Sequence, residues 1–345
     1  MEFSNSLLQW YLKHKRNLPW RNTTNPYPIW LSEIMLQQTR VAQGMPYYQA
    51  FTTAFPTVYD LANAPEEQVL KLWQGLGYYS RARNLHQTAK FIADDLKGVF
   101  PKSYLELLKL KGVGEYTAAA IASFSYNEVV PVVDGNVYRV LSRYFDIETD
   151  IASSYAKKEF TELAKQLIPK NNPALFNQAI MEFGALQCVP KNPKCEICIF
   201  NSSCAALQKK KVSQLPIKLK KTKVINRYLN YLVFKDVHNN TILKQRTEKG
   251  IWQNLYEFPV IESDKLETFE TIHKATHSKY FDKKIESISL YNSDIIKHKL
   301  SHQHLYINFY EIEILDLLKD GISIEEAKKL PFPIVIFNFL EKYLF

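Results

Sequence analysis

Apolar and polar positions along the chain follow two different periods. In the first part apolar residues return every three to four positions, which predicts helices over residues 32–41, 66–73, 81–93, 117–124 and 155–167. Proline and glycine separate these runs, notably at Pro46, Pro56, Pro65, Gly75, Gly77, Gly98, Pro101 and Pro131, so residues 4 to about 181 read as an all-helical unit. Further on, partial alternation of Val, Ile, Tyr and Phe predicts strands over 228–235, 241–245, 285–290 and 304–314, with Asn239-Asn240 turning a hairpin between the first two. Helices are predicted over 268–280 and 335–343. The chain thus divides into a mainly α domain at 1–208, a linker at 209–224 and a smaller α+β domain at 225–345.

Composition sharpens this picture. A length of 345 residues exceeds what one core usually serves, and 46% hydrophobic against 23% charged residues excludes a disordered or fibrous chain. The formal charge of +9 favours a polyanionic partner, and the linker holds seven lysines without an acid between Lys209 and Lys223. That run reads equally well as a solvated tether and as a phosphate contact. No apolar run is long enough to span a bilayer, and the first twenty residues lack a basic leader followed by an apolar stretch. A soluble, cytoplasmic monomer without a membrane partner is the expectation.

All four cysteines fall in one short stretch, spaced Cys188-x6-Cys195-x2-Cys198-x5-Cys204. Such clustering in a reducing compartment favours a metal over disulfides, and thiolate chemistry alone leaves zinc and iron–sulfur both open. Upstream, Leu110-Lys111-Gly112-Val113-Gly114 makes a tight turn ahead of a helix of small residues, where amide groups can approach phosphate. Asp134 follows Gly114 by 20 residues.

Hairpin, aspartate and four-cysteine loop in this order resemble the helix-hairpin-helix DNA glycosylase superfamily, over roughly residues 4–204. The cysteine spacing resembles the [4Fe-4S] loop of the endonuclease III and adenine DNA glycosylase families. The resemblance implies a cluster held by Cys188, Cys195, Cys198 and Cys204, with Lys191 and Lys194 presented to phosphate beside it. It also implies a cleft that flips one nucleotide out of duplex DNA. Lys111 stands where relatives usually carry proline.

Leu18-Pro19-Trp20-Arg21, residues 30–39 and residues 75–85 resemble the adenine-specific branch. An acid beside a helix start is ordinarily a cap, but family position makes Glu33 the general acid that protonates adenine N7 and then activates water. Asp134 is then the carboxylate that stabilises positive charge on the sugar, compatible with a role as a helix cap. Asn136 and Arg21 resemble residues around the acid and the substrate. Tyr116 occupies the position where bifunctional relatives have a lysine that forms a Schiff base, so a monofunctional enzyme is expected. Gln38 and Tyr78 resemble residues that enter the duplex, and Gly112 and Gly114 grip its backbone.

Lys249-Gly250-Ile251-Trp252 and the residues to Pro259 resemble the Nudix-like C-terminal domain of adenine glycosylases. The hydrolase's paired carboxylates are missing from 260–283, which implies recognition without nucleotide hydrolysis. Leu300, Ser301 and His302 map to the loop that distinguishes 8-oxoguanine from guanine, with Leu300 in place of the usual phenylalanine. The expected function is removal of adenine opposite 8-oxoguanine, or opposite guanine, in double-stranded DNA. A bifunctional pyrimidine-lesion glycosylase and a non-enzymatic DNA-binding protein are the alternatives; Tyr116 counts against the first, and Glu33 with Asp134 against the second.

Overall fold

The computed structural model describes residues 2–219, 223–280 and 283–342. These pack as two compact units. One combines the described residues up to Asn63 with those from Asn84 to the linker, and the other combines Ala64–Arg83 with the described residues after the linker.

The first unit is helical, as the apolar periodicity predicts. Its helices are α1 (Glu2–His14), α2 (Pro26–Met35), α3 (Val41–Ala54) and α4 (Val58–Asn63). The segment Ala64–Arg83 interrupts it with α5 (Glu66–Leu72), and α6 (Ser80–Asp94) starts in that segment and runs on into the first unit. Then come α7 (Tyr104–Leu107), α8 (Glu115–Tyr126), α9 (Gly135–Phe145), α10 (Ser154–Leu167), α11 (Pro173–Leu186) and α12 (Ala205–Gln208). The helix predicted over 32–41 is divided. Asn25 caps α2 through its side chain with Pro26 in the first turn, and α2 ends at Met35. Gln38 then adopts a left-handed backbone with φ 56°, which an α-helix cannot contain.

Leu7, Tyr11, Val137, Leu141, Phe160, Phe176 and Phe183 from α1, α9, α10 and α11 form a continuous core. Each such buried apolar side chain contributes roughly 1.5–3 kcal/mol of transfer free energy. Helices α9 and α11 press together at Gly184, where a Cβ would lie 2.7 Å from the Asn136 Cβ. Only glycine admits that approach, and it fixes where the first turn of α9 lies.

The second unit is α+β. Its strands are β1 (Ile225–Lys235), β2 (Asn240–Thr241), β3 (Lys244–Gln245), β4 (Tyr256–Glu257), β5 (Val260–Ser263), β6 (Ile285–Leu290), β7 (Ile296–Lys299), β8 (Gln303–Ile314) and β9 (Ile322–Ser323), with helices α13 (Phe269–Lys279), α14 (Ile324–Ala327) and α15 (Ile334–Lys342). The main sheet runs β5-β1-β8-β6, with β7 also on β8, and its centre is the parallel pair β1 and β8. The expected hairpin after β1 is absent among the described residues. Asn239 does turn the chain with φ 61°, but β2 pairs with β9 and β3 with β4. The helix predicted over 335–343 corresponds to α15, with Tyr343 outside the described residues.

Residues 64–83 belong to this unit through specific bonds. Lys71 Nζ donates to the carbonyls of Lys328 (2.6 Å) and Leu330 (3.1 Å), and Arg83 Nη1 donates to that of Gln253 at 2.8 Å. Tyr79 is buried and its hydroxyl donates to Phe332 O at 3.1 Å.

Candidate active site and DNA interface

A cavity of about 850 Å³ opens in the helical unit, lined by Glu33, Gln38, Gly114, Tyr116 and Asp134 among others. Glu33 is the only charged residue of α2, and it lies in the last turn, not at the helix start. A capping role is therefore excluded, and the negative end of the helix dipole disfavours its ionised form. Only 6% of the residue is exposed. Burial is the main cause that pushes its carboxyl up to about 7, with the charge of Asp134 acting in the same direction. A hydrogen bond with the Tyr116 hydroxyl and the charge of Arg21 oppose the rise.

Asp134 is positioned by the helix it starts. As N-cap of α9 it accepts the backbone N–H groups of Asn136 (2.9 Å) and Val137 (2.8 Å), while its second oxygen accepts Asn136 Nδ2 at 2.7 Å. Burial raises its carboxyl, and those donors together with the Arg139 charge pull the other way. Three donors aimed at one carboxylate favour its charged form. Asn136 is fixed in turn by Arg139 Nη2, which donates to its Oδ1 at 2.8 Å. Tyr116 starts α8, and its phenol is held far above the ordinary value by burial and by the Glu33 and Asp134 charges.

The hairpin between α7 and α8 has the geometry that its glycines suggest at one position. Gly112 has φ +75° and faces Asn84, whose Cβ would be 2.7 Å from an added Cβ. Gly114 has an ordinary backbone and open space around it. It leaves the amides at the start of α8 uncovered for an anion.

Within the second unit, Tyr78, Leu300, Ser301 and His302 line one cavity of about 540 Å³. Tyr78 is 43% exposed, whereas its neighbour Tyr79 is core. Like Gln38, Tyr78 sits in the left-handed region, with φ 49°. Such strain in a non-glycine residue costs about 1 kcal/mol or more and is retained where the side chain's aim matters. Leu300, Ser301 and His302 form the turn between β7 and β8, with Ser301 Oγ 3.1 Å from His302 Nδ1. Arg83 and Trp252 also line this cavity and carried no signal of their own in the sequence.

The four-thiolate metal centre is corrected. Among the described residues no group of three or more Cys, His, Asp or Glu side chains is placed to hold a metal ion. Cys188, Cys195, Cys198 and Cys204 are free, and three of them pack against the α1–α9–α10–α11 core. Burial raises the Cys195 and Cys204 thiols and pushes that of Cys198 up to about 11, which favours the protonated form over the thiolate a soft metal needs. Two buried arginines of α9 hold the loop instead. Arg139 Nε donates to Cys188 O (2.7 Å), and Arg143 donates to Val189 O (2.8 Å), Pro190 O (3.0 Å) and Leu215 O (3.0 Å). In the linker, Lys209 pairs with Asp146 at 2.7 Å and Lys211 with Glu148, so these two lysines serve as ties to the helical unit. Lys220 and Lys221 lie outside the described residues.

Arg21 is placed away from the cavity lining. Its Nη2 donates to Glu182 at 2.8 Å. Glu182, unrecognised in the sequence, is the sole charged residue of α11 and its side chain is wholly buried. Burial alone would raise its carboxyl, but hydrogen bonds from Arg16 and Arg21 bring it down to about 2. A lone acid in an apolar helix was the available signal, the same one that marks Glu33.

Residues 31–166 match the HhH-GPD superfamily base excision DNA repair protein family, and residues 230–342 match the NUDIX domain. The chain is 38% identical over 309 residues to the adenine DNA glycosylase of Buchnera aphidicola subsp. Baizongia pistaciae, covering 89% of this chain and 84% of that one. It is 44% identical over 222 residues to the adenine DNA glycosylase of Homo sapiens, covering 62% and 41%. A thermostable thymine-DNA glycosylase superposes with TM-score 0.54 at 31% identity, over 60% of this chain and 95% of that one. An endonuclease III trapped on DNA superposes with TM-score 0.53 at 22% identity, over 60% and 94%, a likeness of fold.

Proposed function

Because the chain belongs to the adenine DNA glycosylase family of base excision repair, we propose that it hydrolyses the N-glycosidic bond of adenine paired with 8-oxoguanine, or with guanine, in duplex DNA. The observation that carries this reading is Glu33, a buried carboxyl with a pKa of about 7 in a cavity shared with Asp134 and Tyr116.

Adenine leaves poorly as an anion. Glu33 donates its proton to N7 of the flipped base, the glycosidic electron pair goes with the base, and adenine departs neutral. Positive charge left on the sugar is stabilised by the Asp134 carboxylate. Water then adds to the anomeric carbon, and the ionised Glu33 takes its proton. Tyr116 has no amine with which to form an imine, so the strand stays intact. Gln38 and Tyr78 enter the stack vacated by the base. Leu300, Ser301 and His302 read the opposite guanine. The hairpin at Gly112 and Gly114 binds the backbone.

The test is incubation with 8-oxoguanine:adenine, guanine:adenine and oxidised-pyrimidine duplexes, with and without alkali afterwards. Adenine release from the first two, with strand breaks only after alkali, is the expected result. No adenine release from the first, or breaks without alkali, refutes the proposal. Replacing Ser301 and His302 should lower the preference for 8-oxoguanine over guanine; equal losses on both would assign the loop to general DNA binding.

A further inference from the structure

We propose that Glu182 is a positioning residue of this site, which by binding Arg16 and Arg21 together keeps the Arg21 guanidinium out of an ion pair with Glu33. The geometry is closed around the carboxylate. Oε1 accepts the Arg16 backbone N–H (2.9 Å) and Nε (2.8 Å), and Oε2 accepts Arg16 Nη2 (2.6 Å) and Arg21 Nη2 (2.8 Å). Arg21 is held on two further sides. Its Nη1 reaches Arg16 O at 3.4 Å, and its guanidinium lies 5.7 Å from the centre of the Tyr11 ring. The Tyr11 hydroxyl in turn donates to Gln178 at 2.7 Å, one turn before Glu182 on α11.

The restraint matters because Arg21 is near enough to act on the acid. Three groups face Glu33: the Tyr116 hydroxyl at the start of α8, Asp134 at the cap of α9, and Arg21 in the turn Pro19–Arg21. Those facing Glu182 are Arg16, Arg21 and Tyr11. Of these, Arg21 is the one cation that favours ionised Glu33. Among the described residues its ion pair is with Glu182. Removing the Glu182 charge would act twice in the same direction. It deletes a negative charge that offsets Arg21, and it frees the guanidinium to approach the Glu33 carboxyl. Both effects favour carboxylate over acid, and the proton needed by the leaving base would be lost at lower pH.

This inference rests on the reading of Glu33 as the general acid. It is tested by single-turnover excision from an 8-oxoguanine:adenine duplex between about pH 5.5 and 9, for wild type, Glu182→Gln and Glu33→Gln. The wild-type rate should fall above about pH 7 as Glu33 ionises. In Glu182→Gln the fall should begin about one pH unit earlier, giving a rate about tenfold lower at the alkaline end and within about twofold of wild type at the acidic end. An equal loss at every pH, with the alkaline limb in place, assigns Glu182 to structure alone and overturns the inference. If Glu182→Gln does not fold, Glu182→Asp keeps the charge but draws it back from Arg21. A limb displaced towards lower pH then supports the inference and an unmoved limb overturns it. Turnover retained by Glu33→Gln would instead refute the assignment of the acid, whatever the Glu182 variants do.

Discussion

Helices α2 and α11 each carry one charged residue, and in both it is a buried glutamate. Glu33 meets a tyrosine hydroxyl, and its carboxyl is pushed up to about 7; Glu182 meets two arginines, and its carboxyl falls to about 2. The two share residue type and burial but differ in charge state near neutral pH. Burial without a bonded cation makes a proton donor, whereas burial between cations makes a fixed charge that orders its neighbours. Helix position adds to the contrast, since Glu33 sits in the terminal turn of α2 where the dipole opposes ionisation.

The contrast is broken or sharpened by four measurements. The largest effect is expected from Glu33→Gln, which should lower single-turnover excision by about 10²–10⁴-fold while leaving affinity for the mispaired duplex nearly intact. A parallel fall in affinity would show that Glu33 binds substrate and does not donate the proton.

Replacing each glutamate by leucine should separate them by stability. Glu182→Leu leaves two arginines without their carboxylate and should cost about 2–3 kcal/mol in denaturant unfolding, the low end for a broken buried pair because Arg16 is partly exposed. Glu33→Leu removes an uncompensated carboxyl and should be neutral or stabilising by up to about 1 kcal/mol. Equal destabilisation would mean that both acids are structural.

The pH dependence of stability should differ in sign. Glu182 has a depressed folded value, so its contribution is full above its unfolded value of 4.5 and is lost as pH falls towards 2. Glu33 has a raised folded value, so between 4.5 and about 7 the unfolded chain holds fewer protons and stability declines as pH rises. Glu182→Gln should flatten the profile only in the acid window and Glu33→Gln only in the higher one. The opposite assignment would overturn the two carboxyl environments. The smallest change is expected from Arg16→Met, about 1 kcal/mol, since Glu182 keeps Arg21 and the lost partner is 35% exposed. A cost as large as that of Glu182→Leu would show that Arg16 alone carries the site.

Much of this was legible in the chain because it is local. Periodicity located α5, α6, α8, α10, β1, β6 and β8 to within a few residues, since alternation and helical spacing are properties of neighbouring positions. Motif spacing picked out Glu33, Tyr116 and Asp134, which the fold brings to one cavity, and Tyr78 with Leu300, Ser301 and His302, which line another. The misreadings share a cause. The helix over 32–41 fails at Gln38, whose left-handed backbone is not encoded by hydrophobicity. The cysteine spacing carried no information on where the thiols would settle, and their seat against the core, with Arg139 and Arg143 holding the loop backbone, is a tertiary fact.

The sequence by itself determined the helical and α+β halves, the hairpin glycines and the set of residues from which a glycosylase site is drawn. Only the tertiary structure decided the protonation of those residues. Desolvation and the distance to a guanidinium depend on which helices pack together. The closeness of α9 and α11 at Gly184 and the seat of Arg16 and Arg21 on Glu182 join positions more than forty and more than one hundred and sixty residues apart. No local pattern expresses such pairings, and they make one buried glutamate an acid and the other a permanent charge.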